Sequence, residues 1–249
     1  MIFMKLALFG ATGTVGTALL AQALEAGHEV RVLARTPEKI NRRDGALTVL
    51  TGNAKDPAAV AATIEGCDAV LTALGGFGDS DSIRIGTAVI GSAMRDAGIR
   101  RIVIVQGFHL DFPGDHRNLG RKTILPLLWL GSRTLIGDSR AMASAVRASD
   151  LEWTVVRAPR ITRGASTGKA RSGHLKLGPL SSVTNGDVAG LVLRSLGDAT
   201  TVGTAPMIAN PGIHALGAAG YWLLGKRTGG SRQESREPTA VESMRRTVS

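Results

Sequence analysis

A single cysteine, Cys67, leaves no partner for an internal disulfide and excludes a four-cysteine zinc site. That scarcity fits a reducing compartment. Aromatic residues make up only 4% of the chain, a poor supply for stacking on single-stranded nucleic acid. No apolar run reaches the ~20 residues a membrane-spanning helix requires. Residues 124–136 are interrupted by Arg133, and residues 211–225 are too short. No basic leader precedes the apolar start, which Gly10 and Gly13 interrupt, so no secretory signal is expected. Acidic residues are also in deficit, 20 against 30 Lys plus Arg, for a formal charge of +10. A cationic balance favours anionic ligands and carries no information about fold. The reading is a soluble, cytoplasmic protein without nucleic-acid or membrane partners.

What is present is enough for a sizeable core: 249 residues, 43% of them hydrophobic. Short apolar runs recur at Leu6–Phe9, Val30–Leu33, Leu47–Leu50, Ala69–Leu71, Ile102–Val105 and Trp153–Val156. Most lack strict alternation, as expected of strands buried on both faces of a parallel sheet. Between them lie helical stripes: Val15, Leu19, Leu20, Ala23 and Leu24 before Gly27, then Ala59, Val60, Thr63 and Ile64 before Gly66. A third stripe of Ile85, Val89, Ala93, Met94 and Ala97 precedes Gly98, and a fourth begins at Met142, Ala145 and Val146. Alternation through residue 157 argues for a doubly wound parallel α/β sheet in a single domain, residues 1–209. Asn185 reads as the cap of a further helix, Val188–Leu196, before a last strand near Val202–Ile208. Residues 210–249, rich in Ser, Arg, Gly and Glu late on, read as a basic disordered tail. Residues 107–137 and 159–184 are too long for ordinary connections. Each follows the carboxyl end of a strand, where open α/β sheets bind ligands, so both are candidate substrate-side loops.

The sharpest local signal is Gly10-Ala11-Thr12-Gly13-Thr14-Val15-Gly16, placed between the first strand and the first helix. Gly10 permits the tight turn, Gly13 leaves room for a pyrophosphate, and Gly16 lets helix and strand pack closely. The helix amino end adds unpaired N–H groups for phosphates. An NAD site normally carries a carboxylate at the end of the second strand, but here Arg35 stands there, followed by Lys39. A guanidinium there attracts a ribose 2′-phosphate, so the expected cofactor is NADP(H).

With these motifs the chain resembles the NAD(P)H-binding, NmrA-like atypical short-chain dehydrogenase/reductases, in particular the flavin reductase (biliverdin-IXβ reductase)-like subgroup. The resemblance covers roughly residues 4–209 and rests on Gly10–Gly16, Arg35, Gly52-Asn53-Ala54, Asp68–Val70 leading into Leu74-Gly75, and Val146–Ile161. It implies a Rossmann fold, with Asn53 and Ala54 beside adenine and Leu74 and Gly75 along the cofactor ribose. It also implies that Val105, Gln106 and Gly107, together with Pro159, Arg160 and Ile161, border the nicotinamide.

Ordinary short-chain dehydrogenases use a tyrosine with a lysine four residues on; the one tyrosine here, Tyr221, is followed at that spacing by Gly225. Where many relatives carry serine after the fifth strand, this chain reads Val105-Gln106-Gly107-Phe108-His109. Gln106 hydrogen-bonds but is no acid at neutral pH. Hydride transfer without a positioned acid suits a planar conjugated acceptor (flavin, quinone or tetrapyrrole) that takes its proton from water. His109 and Asp111 are the nearest proton donors, or else part of a polar loop. From Arg157 to Lys176 there are six cations and no acid, so as a pocket wall this segment favours an anionic acceptor; otherwise it is a solvated basic face. His109, Asp111, Asp115 and His116 match no standard metal-ligand spacing, and no metal site is expected. Gly137–Ala141 approaches a nucleophile elbow but lacks its last glycine, and Asp138 or Ser139 reads instead as a helix cap. The leading function is an NADPH-dependent oxidoreductase; the alternatives are a non-catalytic NADP(H)-binding redox sensor and an accessory docking protein.

Overall fold

The computed structural model describes residues 3–75, 81–115, 133–178, 180–211 and 222–223. Seven strands form the parallel part of the sheet: β1 (Lys5–Phe9), β2 (Glu29–Ala34), β3 (Leu47–Thr51), β4 (Ala69–Thr72), β5 (Arg101–Gly107), β6 (Glu152–Ala158) and β10 (Met207–Ala209). Three further strands come between β6 and β10: β7 (Arg160–Thr162), β8 (Arg171–Gly173) and β9 (Ser182–Thr184). With β11 (Trp222–Leu223), the sheet order is β11-β8-β10-β6-β5-β4-β1-β2-β3, and β7 pairs with β9 in a separate parallel ribbon. The order reverses beside β1, so a crevice opens at the carboxyl ends of β1 and β4.

The strands are buried on both faces because successive side chains feed different cores. On β1, Leu6 and Leu8 join the cluster under α1 (Thr14–Glu25) and α5 (Asn185–Gly197). Ala7 and Phe9 join the opposite cluster, under α2 (Pro57–Ile64), α3 (Asp81–Asp96) and α4 (Arg133–Arg147). Each fully buried Leu or Ile contributes about 1.5–3 kcal/mol. The stop residues Gly27, Gly66 and Gly98 all adopt positive φ. Asp56 caps α2 by accepting from the Ala58 and Ala59 amides, with Pro57 at the first helical position.

Several expectations need correction. The α3 stripe is shifted: Ile83, Thr87, Ile90 and Met94 are buried, whereas Ile85, Val89 and Ala93 are half-buried and Ala97 is exposed. The helix packs against both α2 and α4, so its flanks also meet neighbours and blur the periodicity. α4 begins at Arg133, and Asp138 and Ser139 lie inside it rather than capping it. The α5 cap is Thr184, whose hydroxyl accepts from the Asp187 amide, and Asn185 is already helical. The last parallel strand is confined to Met207–Ala209, preceded by a 3-10 turn at Ala199–Thr201. Residues 159–184 are not a plain loop, since they contain β7, β8 and β9, and residues 133–137 of the first candidate loop belong to α4. Of the expected tail, Trp222–Leu223 pair antiparallel with β8, while residues 212–221 and 224–249 lie outside the described residues.

Candidate cofactor site

β1 ends in a turn that only glycine builds. Gly10 has φ +83°, and a Cβ there would stand 2.6 Å from the Ala73 carbonyl oxygen. A Cβ on Gly16 would stand 2.0 Å from the Gly10 oxygen, so α1 can press against the turn only while that side chain is absent. Gly13, which donates its N–H to the Gly10 oxygen at 3.0 Å, precedes the first residue of α1. No side chain caps this helix end and its first turn holds no acid, which leaves its amide dipoles directed at the crevice.

Beside the turn lies a cleft of about 370 Å³. It brings together Gly10, Thr12, Gly13, Arg35, Lys39, Asn53, Ala54, Leu74 and Gly75. Arg35 directly follows β2 and Lys39 ends the short 3-10 turn Pro37–Lys39; both are exposed. No carboxylate is among the described residues lining the cleft. Asn53 uses its side-chain oxygen to accept from the Lys55 amide at 3.1 Å, which fixes the turn after β3. The lining missed by sequence reading is Phe9, Leu33, Ala34, Thr36, Gly52, Ala73 and Ser82. Most of these are strand-end residues whose hydrophobic character signals core. Gly52 is glycine for a reason that only the fold shows: its Cβ would meet Ala59 and Leu33 at 2.8 and 2.9 Å.

The remaining expected residues fall elsewhere. Thr14, Val15 and Gly16 form the first turn of α1, with Val15 and Gly16 buried. Val105 and Gln106 are buried near the end of β5, and the Gln106 side-chain oxygen accepts from the Ser139 hydroxyl at 3.3 Å. Pro159 is buried between β6 and β7, while Arg160 is exposed and Ile161 half-buried. His109 is buried with its ring against Gly107, a poor position for exchanging protons with solvent; Asp111 is exposed.

Arg157 corrects the reading of the basic segment. Its side chain is fully buried and paired with the Asp115 carboxylate, its second guanidinium nitrogen standing 2.7 Å from Oδ1. It also donates to the Leu110 and Ala205 carbonyls and lies 4.9 Å from the Phe112 ring centroid. A strand residue buried this way is a structural tether and not a pocket cation. Asp115 is thereby engaged, and no metal-binding cluster occurs among the described residues. His116 lies outside them. No helix among the described residues is long and apolar enough to cross a membrane.

Residues 10–199 match the family model described as NAD(P)H-binding, more than half of the chain. The chain belongs to this NAD(P)H-binding family. The glycine cradle is consistent with that cofactor class, because a Cβ at Gly10 or Gly16 would collide with backbone and the open side of Gly13 faces the cleft. This NAD(P)H-binding protein is 28% identical over 213 residues to a (4-alkanoyl-5-oxo-2,5-dihydrofuran-3-yl)methyl phosphate reductase of Streptomyces griseus, covering 81% of this chain. The alignment spans 66% of that enzyme's length, just under two thirds. In fold it is similar to a Veillonella parvula short-chain dehydrogenase/reductase in complex with NADP, at 18% identity. That match covers 86% of this chain and 97% of the other, with a TM-score of 0.69. An anaerobillin reductase from Escherichia coli O157:H7 shares 21% identity over 83% of this chain and 97% of the other, with a TM-score of 0.67. The resemblance to atypical short-chain dehydrogenase/reductases therefore holds at the level of the fold.

Proposed function

We propose that this protein is an NADPH-dependent reductase acting on a planar, conjugated, anionic acceptor. The observation that carries the reading is the cleft beside the glycine turn, lined by Arg35 and Lys39 and by no carboxylate among the described residues. A carboxylate at that position would hold the ribose hydroxyls of NAD(H) and repel a 2′-phosphate, while a guanidinium reverses the preference. Gly10, Thr12 and Gly13 would hold the pyrophosphate at the α1 amino end, with Asn53 and Ala54 beside adenine. When bound, the reduced nicotinamide supplies the hydride. Val105, Gln106, Pro159, Arg160 and Ile161 would border the reacting end, where Gln106 offers a hydrogen bond but no acid.

With no Tyr-x-x-x-Lys pair in the sequence, the reading favours acceptors that take their proton from water. The Streptomyces relative supports this class: its name describes a phosphate ester on an oxo-dihydrofuran, a ring alkene conjugated to carbonyl groups. A cytoplasmic setting goes with the reading. The test is NADPH oxidation with FMN, a quinone, biliverdin and a phosphorylated butenolide, each in parallel with NADH. Oxidation with at least one acceptor and preference for NADPH are expected. NADPH binding with no oxidation across the panel would instead support the second reading, a redox sensor, which the missing tyrosine pair favours.

A further inference from the structure

We infer that Arg163 is the anion subsite for the acceptor, and that the acceptor carries a phosphate group remote from its reducible ring. This rests on the reductase reading above. From Trp153 to Gly186 the chain contains no acid. Of its six cations, Arg157 is neutralised by Asp115 inside the fold, and Arg171 lies in β8 between two antiparallel partners. Arg160 and Arg163 are exposed, and neither forms an ion pair among the described residues.

Their placement follows from the ribbon after β6. β7 pairs in register with β9, Thr162 opposite Thr184, and Arg163 is next in the chain. The Gly164 amide donates to the Asn185 side-chain oxygen at 2.9 Å, and the Asn185 amide donates to the Thr14 carbonyl at 2.8 Å. Arg163 therefore adjoins a two-bond clamp that ends on the first residue of α1. Arg35 and Lys39 stand on the other side of that helix end, after β2. The carboxyl edge thus carries cations on both sides of the α1 amino end, Arg35 and Lys39 suited to the coenzyme 2′-phosphate and Arg163 left for a second anion.

The backbone presenting Arg163 is also fixed. The Asp187 carboxylate accepts from the Ser166 hydroxyl and from the Thr167 amide and hydroxyl, and the Gly186 amide donates to the Gly164 carbonyl. A cation on a pre-ordered loop loses less entropy on binding than one on a free segment. A guanidinium donates two parallel N–H bonds that match paired phosphate oxygens.

FMN and riboflavin share one ring system and differ in one phosphate, so fluorescence titration of each against the NADP+-saturated protein reads the subsite without turnover. The native protein is expected to bind FMN about tenfold or more tighter than riboflavin. Arg163→Ala should erase that gap and leave riboflavin affinity in place. Equal affinity of the native protein for the two flavins would overturn the inference. So would an Arg163→Ala variant that loses NADP+ affinity in step with FMN, since the anion recognised would then be the coenzyme pyrophosphate. Native NADP+ calorimetry and circular dichroism of the variant establish folding. FMN discrimination without NADPH oxidation by any acceptor would leave the subsite standing and remove the reductase reading; oxidation of NADPH by both flavins without discrimination would do the reverse.

Discussion

Gly13 and Gly16 sit three residues apart, and the same substitution acts on them through different atoms. A Cβ on Gly16 would overlap the Gly10 carbonyl oxygen at 2.0 Å, so Gly16→Ala must push α1 off the sheet and lower stability as well as cofactor affinity. At Gly13 the nearest atom is 3.3 Å away and φ is −80°, which alanine adopts without strain. Gly13→Ala is expected to keep its thermal midpoint within a few degrees while NADPH affinity falls about tenfold or more, because the methyl group enters the cleft. A calorimetric titration beside a melting curve separates the two; a Gly13→Ala protein with native affinity would remove the pyrophosphate from this turn. Arg35→Asp should weaken NADPH binding by about 1.5–3 kcal/mol and spare NADH. Equal loss for both coenzymes would refute the 2′-phosphate contact. These residues were legible because backbone geometry and charge sign are local properties. Gln106 was legible as a polar residue at the end of β5, but its partner Ser139 was not, since the bond crosses from β5 to α4 over 33 positions.

At the scale of elements, the segment after β6 looked like an open loop in sequence and is a tied one in the fold. Burial pushes the Asp187 carboxyl up, but hydrogen bonds from Thr167, Ser166 and Thr184 outweigh it and hold the group below the usual carboxylate value. Asp187→Ala should therefore cost about 3 kcal/mol, as several donors to a charged group lose their acceptor together. It should also open trypsin cleavage at Lys169 and Arg171 before the rest of the domain is cut. Unchanged cleavage rates there would show that the ribbon, not Asp187, fixes the segment. Sequence periodicity identified α1 and α2 with most of their buried faces, Val15 to Leu24 and Val60 to Ile64. It located α3 but set its buried face on Ile85, Val89 and Ala93, and it shortened α4, whose first residues follow a segment with no clean apolar spacing. The Arg157–Asp115 pair was invisible for a different reason: buried and solvated arginines carry the same letter, and only the strand's full burial decides between them.

For the whole molecule, the alternation of strands and helices made the doubly wound sheet legible, while the antiparallel extension by β8 and β11 follows from three-residue and two-residue strands below the length that patterning resolves. Stability of that whole responds to pH through His28. Burial depresses its pKa below 6.5, and a hydrogen bond to the Met4 backbone offsets this only in part. The unfolded chain therefore binds a proton near pH 6.5 that the native protein does not yet accept. The stabilisation is complete above that value and is lost as pH falls through the native pKa. The thermal midpoint should drop between pH 7.5 and 5, and His28→Leu should flatten that slope; an undiminished slope would assign it to other groups. Cys67 adds nothing in this range, because burial pushes its thiol up to about 11. Coenzyme binding gives the converse shift. A ligand held only by the native state at a hundred times its Kd stabilises by about 2.7 kcal/mol, or roughly 5–11 °C for a domain of this size. NADPH should reach that shift at lower concentration than NADH in the native protein, and at the same concentration in Arg35→Asp. Melting curves in which neither nucleotide moves the native midpoint would remove the cofactor from the cleft, and with it the reductase reading.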